Sequence, residues 1–161
     1  MKHVNITTIG VIVFLHVLAP SIAGAQIING GFETGSLIQG WSSFGDALVD
    51  TRLLGGSIPT EGAYQALLTT LTLSADFTPG LSFSDAVSAS ALEGFLGLGS
   101  GSLSGNGAVE GSAILQVFNA NAGDTISFDW NFLTDEPEAP GDFAFVVIDQ
   151  TITVLADASS P

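Results

Sequence analysis

The most regular alternation of apolar and polar positions lies in residues 125–134. Every second residue there is large and apolar: Ile126, Phe128, Trp130 and Phe132. A period of two with aromatic side chains is typical of a half-buried strand whose apolar side chains pack in the core. A shorter alternation over residues 113–117 comes before a turn at 121–124. The two segments therefore predict a β-hairpin.

Further strands are predicted on both sides of this hairpin. Residues 143–148 are apolar throughout, as expected of a central strand covered on both faces. Asp149 and Gln150 then predict a turn into a strand over 152–156. Upstream, residues 47–54 and 63–69 also read as strands, separated by glycine and proline.

Residues 71–107 lose this alternation and are rich in glycine and serine. Ser90 and Glu93 have the spacing of a capping box, and Gly97 is placed to end a helix, so we predict a short helix over 91–96. Four apolar side chains attach this segment to the core: Leu92, Phe95, Leu96 and Leu98. A packed cover over one end of the strands is the preferred interpretation, and a functional lid is the alternative.

The predicted architecture is all-β: an antiparallel jelly-roll-like β-sandwich of about seven strands, with one short helix in a long loop. The last predicted strand ends near Ala156 and is followed by loop-like residues. We therefore expect a single domain over residues 26–161 that is truncated at its C-terminus and leaves a sheet edge unpaired.

The first 25 residues predict a secretory signal peptide. Lys2 and His3 precede an apolar run over 9–18, Pro20 ends it, and small residues at 23–25 suit cleavage after Ala25. The alternative is a membrane anchor, but the run is about half of the roughly 20 residues that span a bilayer. We expect a protein that is secreted or held at the cell surface, with no membrane span in the mature chain.

Composition then limits the chemistry. The chain has 2 basic and 16 acidic residues, a net charge of −14, and no cysteine. Both histidines precede residue 17, so Arg52 is the only base after the predicted leader. This excludes Ser-His-Asp and Cys-His catalysis, His/Cys zinc sites and a P-loop. Nucleic acid is not expected as a partner, because its recognition needs a positive surface.

Acidic residues cluster in the loop between the predicted strands 125–134 and 143–148. The four carboxylates are Asp135, Glu136, Glu138 and Asp142. Two such charges about 6 Å apart repel by roughly 0.7 kcal/mol in water, and hard oxygen ligands suit Ca²⁺. A calcium site and a solvated acidic loop without ligand remain equal alternatives. Glu33, in a glycine-rich turn, is a further candidate ligand that a late aspartate, Asp149 or Asp157, would join.

Two aromatic residues, Trp41 and Tyr64, are candidates for stacking on sugars, although a place in the core is the commoner role of such residues. Only carboxylates remain for catalysis. Asp129, on the polar face of its predicted strand, is the best-placed of them, but no second carboxylate pairs with it as a glycoside hydrolase requires. We therefore predict that the protein is not an enzyme.

Several stretches resemble known families. Residues 29–41, Asn-Gly-Gly-Phe-Glu-Thr-Gly-Ser-Leu-Ile-Gln-Gly-Trp, resemble the opening of galactose-binding-like carbohydrate-binding β-sandwich modules. Residues 92–98, 110–114, 128–136 and 142–145 resemble secreted bacterial proteins of the PEP-CTERM sorting class, which are frequent in cyanobacteria. The sequence lacks that class's Pro-Glu-Pro motif, C-terminal apolar helix and basic tail.

These resemblances carry expectations of their own. In the carbohydrate-binding modules the glutamate of the opening motif ligates a structural calcium, which implies this role for Glu33. The sorting class implies export followed by anchoring or release, often linked to exopolysaccharide and biofilm. We thus expect a non-catalytic binding or matrix module, stabilised by calcium, with polysaccharide or extracellular matrix as partner. A dedicated carbohydrate-binding module is the alternative, and a carboxylate-based glycoside hydrolase is a remote one.

Overall fold

The computed structural model describes residues 5–8, 12–18, 26–51, 58–70, 85–134 and 142–158. The strands are β1 (Asn5–Thr8), β2 (Ile12–Leu18), β3 (Ser42–Phe44), β4 (Ala47–Asp50), β5 (Gln65–Leu68), β6 (Val87–Ser88), β7 (Glu110–Gly111), β8 (Ala113–Asn119), β9 (Asp129–Phe132), β10 (Phe143–Ile148) and β11 (Thr151–Asp157). One α-helix, α1 (Ala89–Leu96), and a 3-10 turn at Ser104–Asn106 complete the described elements. The chain is therefore mostly strand with one short helix, and the all-β prediction is confirmed.

The strands form two main sheets and a small ribbon. The four-stranded sheet has the order β4-β5-β1-β9, the five-stranded sheet has the order β11-β10-β2-β8-β3, and β6 pairs with β7. β1 and β2 run parallel to the neighbours on each side of them, whereas the other described pairs are antiparallel. β1 and β2 both lie within residues 1–25, the segment that the sequence predicts to be a cleaved leader.

The predicted hairpin between residues 113–117 and 125–134 is wrong. The turn itself forms, because the amide of Asp124 donates to the carbonyl of Asn121 at 3.0 Å. However, β8 lies in the five-stranded sheet and β9 in the four-stranded sheet, so the turn carries the chain from one sheet to the other. Alternation along a strand shows which side chains share a face, but it does not identify the strand's neighbour.

The C-terminal hairpin agrees with the sequence analysis. β10 has the predicted bounds, and Asp149 and Gln150 turn the chain into β11 with φ angles of 47° and 65°. Positive φ at both central residues is characteristic of a type I′ turn, whose twist matches that of the flanking strands. The two upstream strands, β4 and β5, are shorter than predicted.

A first core draws side chains from both main sheets. Its buried members are Ile27, Phe32, Leu37, Trp41, Ala66, Leu68, Ile114, Phe118, Phe132, Ala144 and Val146. They come from β5 and β9 of one sheet, from β8 and β10 of the other, and from the loop before β3. Trp130 does not belong to this core, contrary to prediction, because 40% of its surface is exposed. β9 is the outer strand of its sheet, so alternation alone does not bury every residue on its inner face.

A second core covers the opposite face of the five-stranded sheet. Its buried members are Ala89, Leu92, Leu96, Leu103, Ala113, Phe145 and Val147, and Phe95 and Leu98 pack against them. Helix α1 thus rests on one face of the sheet, and the first core lies against the other, so β10 is covered on both faces as predicted. In the described part of the glycine-rich segment, residues 85–107, the packed-cover interpretation agrees with this packing, although α1 covers a sheet face rather than one end of the strands. No helix within the described ranges is long and apolar enough to cross a membrane.

The two sheets are also joined by a buried polar network at the corner between β3 and β4. The amide of Asp46 donates to Ser112 Oγ at 2.7 Å, and Ser112 Oγ donates to the carbonyl of Thr69 at 2.6 Å. The Thr69 hydroxyl in turn donates to the Asp46 carboxylate. Because buried polar groups cost free energy unless they are paired, this network stabilises the point where the chain passes between sheets.

Helix α1 begins and ends at identifiable caps. Ser88, not the predicted Ser90, is the N-cap, since its hydroxyl accepts a hydrogen bond from the amide of Ala91 at 3.3 Å. Gly97 ends the helix in the left-handed conformation with φ 67°, as predicted. The predicted capping box does not form, because the side chain of Glu93 is used elsewhere.

Glu93 anchors the loop that follows the helix. It is 3% exposed, and its carboxylate accepts hydrogen bonds from the amides of Gly101 at 2.9 Å, Leu103 at 2.8 Å and Ser104 at 3.1 Å. These backbone donors, Gly101 first, lower the pKa of Glu93 below its ordinary value of 4.5, and the desolvation that opposes them is the smaller effect. The loop is therefore held by the Glu93 carboxylate, whose negative charge is stabilised by the backbone amides that donate to it.

We expect Glu93→Gln to lower the melting temperature more than the control Glu110→Gln, because Glu110 is an exposed carboxylate on β7. A pKa lowered by folding stabilises the folded state above the ordinary value of 4.5, and this stabilisation is lost as pH falls through the lowered pKa. Thermal unfolding between pH 7 and pH 2 should show the Glu93→Gln deficit shrinking at acidic pH. A deficit that does not change with pH would contradict the charged role of Glu93.

Candidate ligand-binding site

The loop before β3, residues 28–41, is closed by one side chain from the five-stranded sheet. Gln116 of β8 is 3% exposed, and its amide oxygen accepts a hydrogen bond from the amide of Ile28 at 2.7 Å. Its amide nitrogen donates to the carbonyls of Ile28 and Gly40, both at 2.8 Å. The two ends of the loop are thus fixed to the same strand by one neutral side chain that makes three hydrogen bonds to the backbone.

Inside this loop, Asn29 and Trp41 organise the backbone. The Asn29 side chain donates to the carbonyl of Ser36 at 2.9 Å, and the indole N–H of Trp41 donates to the carbonyl of Asn29 at 3.0 Å. The rings of Trp41 and Phe32 pack with their centroids 5.5 Å apart. Trp41 is 5% exposed, which contradicts the prediction that it stacks on a sugar and supports its alternative place in the core.

Glu33 joins this loop to a second one. Its side chain is exposed, and Oε1 accepts hydrogen bonds from the amides of Ala63 at 3.0 Å and Tyr64 at 3.1 Å. Gly62 has φ +73°, which L side chains rarely adopt, and a Cβ there would overlap Oε1 of Glu33, so alanine would strain the turn and displace the exposed carboxylate. We call residues 33–35 and 62–64 the loop corner.

Tyr64 forms the apolar side of the loop corner. It is half-buried, and its ring lies beside Gly35, where a Cβ would come within 3.5 Å of Tyr64 Cε1. The ring is therefore partly available to a ligand next to the exposed carboxylate of Glu33. The structure brings together Glu33 and Tyr64, two residues that the sequence analysis singled out separately.

The segment before the loop corner contacts β9, and the residue that follows the contact on that strand is an exposed tryptophan. Thr60, two residues before Gly62, donates its hydroxyl to the carboxylate of Asp129 at 2.6 Å. Trp130 follows Asp129 on β9 and is 40% exposed. Sequence reasoning placed Trp130 in the core, so its exposure adds an aromatic candidate that the alternation pattern had hidden.

The predicted calcium ligands are only partly described. Asp135, Glu136 and Glu138 lie outside the described residues, whereas Asp142 is half-buried directly before β10, and its carbonyl accepts from the amide of Ala158 at 2.9 Å. Among the residues that the structure does describe, no three histidines, cysteines or carboxylates form a group that could hold a metal. Within that part of the chain, Glu33 is thus not joined in such a group by Asp149 or Asp157.

The residue that the sequence analysis missed is Gln116. Gln116 lies on the inner face of β8 between Ile114 and Phe118, which are both buried, whereas its neighbour Val117 is 49% exposed. The apolar residues two positions before and two positions after Gln116 were the available signal. A polar residue with such neighbours is expected to be buried and hydrogen-bonded.

Comparison with protein-family models, with curated proteins and with solved structures finds no match for this chain. The proposed function therefore rests on the geometry of the loop corner and on the composition of the chain.

Gly62→Ala should displace the Glu33 carboxylate from its two amide donors. We expect it to lower the free energy of unfolding by about 1–2 kcal/mol through backbone strain and by about 1–2 kcal/mol more through the lost hydrogen bonds. Gly123→Ala is the matched control, because Gly123 also has a positive φ, +95°, but has open space around a Cβ. Urea unfolding of both variants measures the difference, and equal losses would show that Glu33 contributes nothing.

Proposed function

We propose that this chain is a secreted or surface-associated, non-catalytic binding or matrix module, built as a jelly-roll-like β-sandwich and stabilised by calcium. The observation that carries the proposal is the loop corner. There, the exposed carboxylate of Glu33 is held by two backbone amides beside a half-buried tyrosine, on loops that buried side chains fix to the sheets. A rigid scaffold that presents loops in this way is the usual basis of binding on β-folds.

The charge balance supports the calcium part of the proposal. The net charge is −14, and after the predicted leader Arg52 is the only base, so the carboxylates cannot be neutralised within the chain. A hard divalent cation would relieve their repulsion. The proposed ligands are Asp135, Glu136, Glu138 and Asp142 in the loop between β9 and β10, with Glu33 as a separate candidate on the loop corner.

Thermal unfolding in calcium and in chelator tests the proposal directly. A ligand that binds only the folded state, at about 100 times its Kd, adds about 2.7 kcal/mol, which for a chain of this size raises the melting temperature by about 5–10 °C. We expect this shift to disappear in Asp135→Asn/Glu136→Gln/Glu138→Gln/Asp142→Asn and to persist in Glu110→Gln. Glu33→Gln shows whether the loop corner contributes a ligand.

An unchanged melting temperature in calcium would remove the metal from the proposal. A shift that magnesium reproduces at the same concentration would indicate general screening of the carboxylates rather than a calcium site, because Mg²⁺ demands a different ligand geometry. The binding role of the loop corner would be unaffected by either result.

A carbohydrate-binding module is the second candidate, and the exposure of Trp130 together with Tyr64 favours it. Stacking on an aromatic ring contributes about 1–2 kcal/mol, so we expect Tyr64→Ala or Trp130→Ala to weaken polysaccharide binding by about 5- to 30-fold, as measured by affinity electrophoresis. Ile38→Ala is the control, because Ile38 is 89% exposed and belongs to neither core. Binding that neither aromatic variant weakens would contradict this role.

A further inference from the structure

The chain contains two Asn-Gly dipeptides, Asn29-Gly30 and Asn106-Gly107. In such a dipeptide the backbone nitrogen of the glycine can attack the side-chain carbonyl carbon of the asparagine, because no Cβ on the glycine shields that nitrogen. The attack requires the dipeptide to leave the hydrogen bonds that fix its conformation in the folded chain. The surroundings of the two dipeptides therefore decide which of them reacts.

The first dipeptide is held firmly in the loop before β3. The Asn29 side chain accepts from the amide of Thr34 at 3.3 Å and donates to the carbonyl of Ser36 at 2.9 Å. Its backbone carbonyl accepts from the indole N–H of Trp41, a core residue, at 3.0 Å. Gly30 is buried, so this dipeptide reacts only when the whole loop opens.

The second dipeptide is far less restrained. Asn106 is exposed at the end of the 3-10 turn, and its side chain makes a single hydrogen bond, from Nδ2 to the carbonyl of Ser102 at 2.8 Å. The amide of Gly107 donates to the carbonyl of Ser104 at 3.1 Å, and no atom lies within 4 Å of the position that a Cβ on Gly107 would take. An exposed 3-10 turn of this length opens readily, because its hydrogen bonds have poor geometry and compete with water.

We propose that Asn106, and not Asn29, is a site of deamidation in the folded protein, with water as the co-reactant. The nitrogen of Gly107 bonds to Cγ of Asn106 and loses its proton, the Cγ–Nδ2 bond breaks, and ammonia leaves behind a cyclic imide. Water then adds to one of the two imide carbonyl carbons and breaks the bond from that carbon to the nitrogen. The product at position 106 is an aspartate or an isoaspartate, and either one adds a negative charge.

Deamidation weakens the loop that Glu93 anchors. The carbonyl that accepts from Asn106 belongs to Ser102. The residues on either side, Gly101 and Leu103, donate their amides to the Glu93 carboxylate. A carboxylate at position 106 has no proton to donate at neutral pH and faces the same carbonyl oxygen, so an attraction becomes a repulsion. The isoaspartate product also inserts a methylene group into the backbone of the turn.

The test incubates the full chain at mildly alkaline pH, once folded and once unfolded in guanidinium chloride, and follows deamidation by mass spectrometry as a gain of about 1 Da per event. Cleavage after glutamate separates the two sites. The peptide 94–110 contains Asn106 and no other amide side chain, and fragmentation of the peptide that ends at Glu33 locates changes at Asn29. The unfolded chain is the matched control, because both dipeptides lack their tertiary contacts there.

In the folded protein we expect Asn106 to deamidate at least about tenfold faster than Asn29, and in the denaturant we expect the two rates to agree within about threefold. Equal rates in the folded protein, a faster reaction at Asn29, or no reaction at Asn106 would overturn the proposal. The measurement needs neither calcium nor polysaccharide, so its result leaves the proposed function untouched.

Asn106→Asp reproduces one product and tests the effect on the loop. We expect its melting temperature at pH 7 to lie about 2–5 °C below that of the unmodified chain. Asn106→Ala, which loses the hydrogen bond without gaining a charge, should melt between the two. An Asn106→Asp variant that melts no lower than Asn106→Ala would show that the added charge does not weaken the loop and would overturn this part of the proposal.

Discussion

The stability of the structure depends on backbone hydrogen bonds between the strands of the five-stranded sheet, because this sheet is covered on both faces. β10 contributes Ala144 and Val146 to one core and Phe145 and Val147 to the other, so its peptide groups are separated from water on both sides. Each such group must bond to a neighbouring strand, because an unpaired buried donor or acceptor costs about 1–3 kcal/mol. The stability of the sheet therefore depends on the pairing of β10 with the strands on both of its sides.

In the described part of the chain, buried polar side chains hold several of the loops. The chain has no cysteine and only 2 basic residues, so the usual covalent and ionic connections are scarce. Gln116, Glu93 and the network of Asp46 and Ser112 instead bond directly to backbone groups of loops and turns. Peptide amides supply the partial positive charge that the side chains of this protein lack, as the lowered pKa of Glu93 illustrates.

The same lack of positive side chains connects the scaffold to the proposed function. Glu33 meets two amides at the loop corner and remains exposed, while the acidic loop between β9 and β10 leads from one sheet to the other. Under the proposed function, dissolved cations balance this charge. In the carbohydrate-binding alternative, the half-buried Tyr64 and the partly exposed Trp130 are the proposed contacts with a sugar ring.

Local sequence patterns were sufficient to predict the all-β class, the C-terminal hairpin and the end of the helix. These are local properties: strand period, turn residues such as Asp149 and Gln150, and a glycine at the left-handed position of Gly97. The sequence also marked Glu33 and Tyr64 as candidates, without showing that they meet. Three features became apparent only in the folded chain: β8 and β9 belong to different sheets, Trp41 is buried while Trp130 is exposed, and Gln116 closes a loop. The physical reason is that strand partners and burial arise from contacts distant along the chain, which neither alternation nor composition encodes.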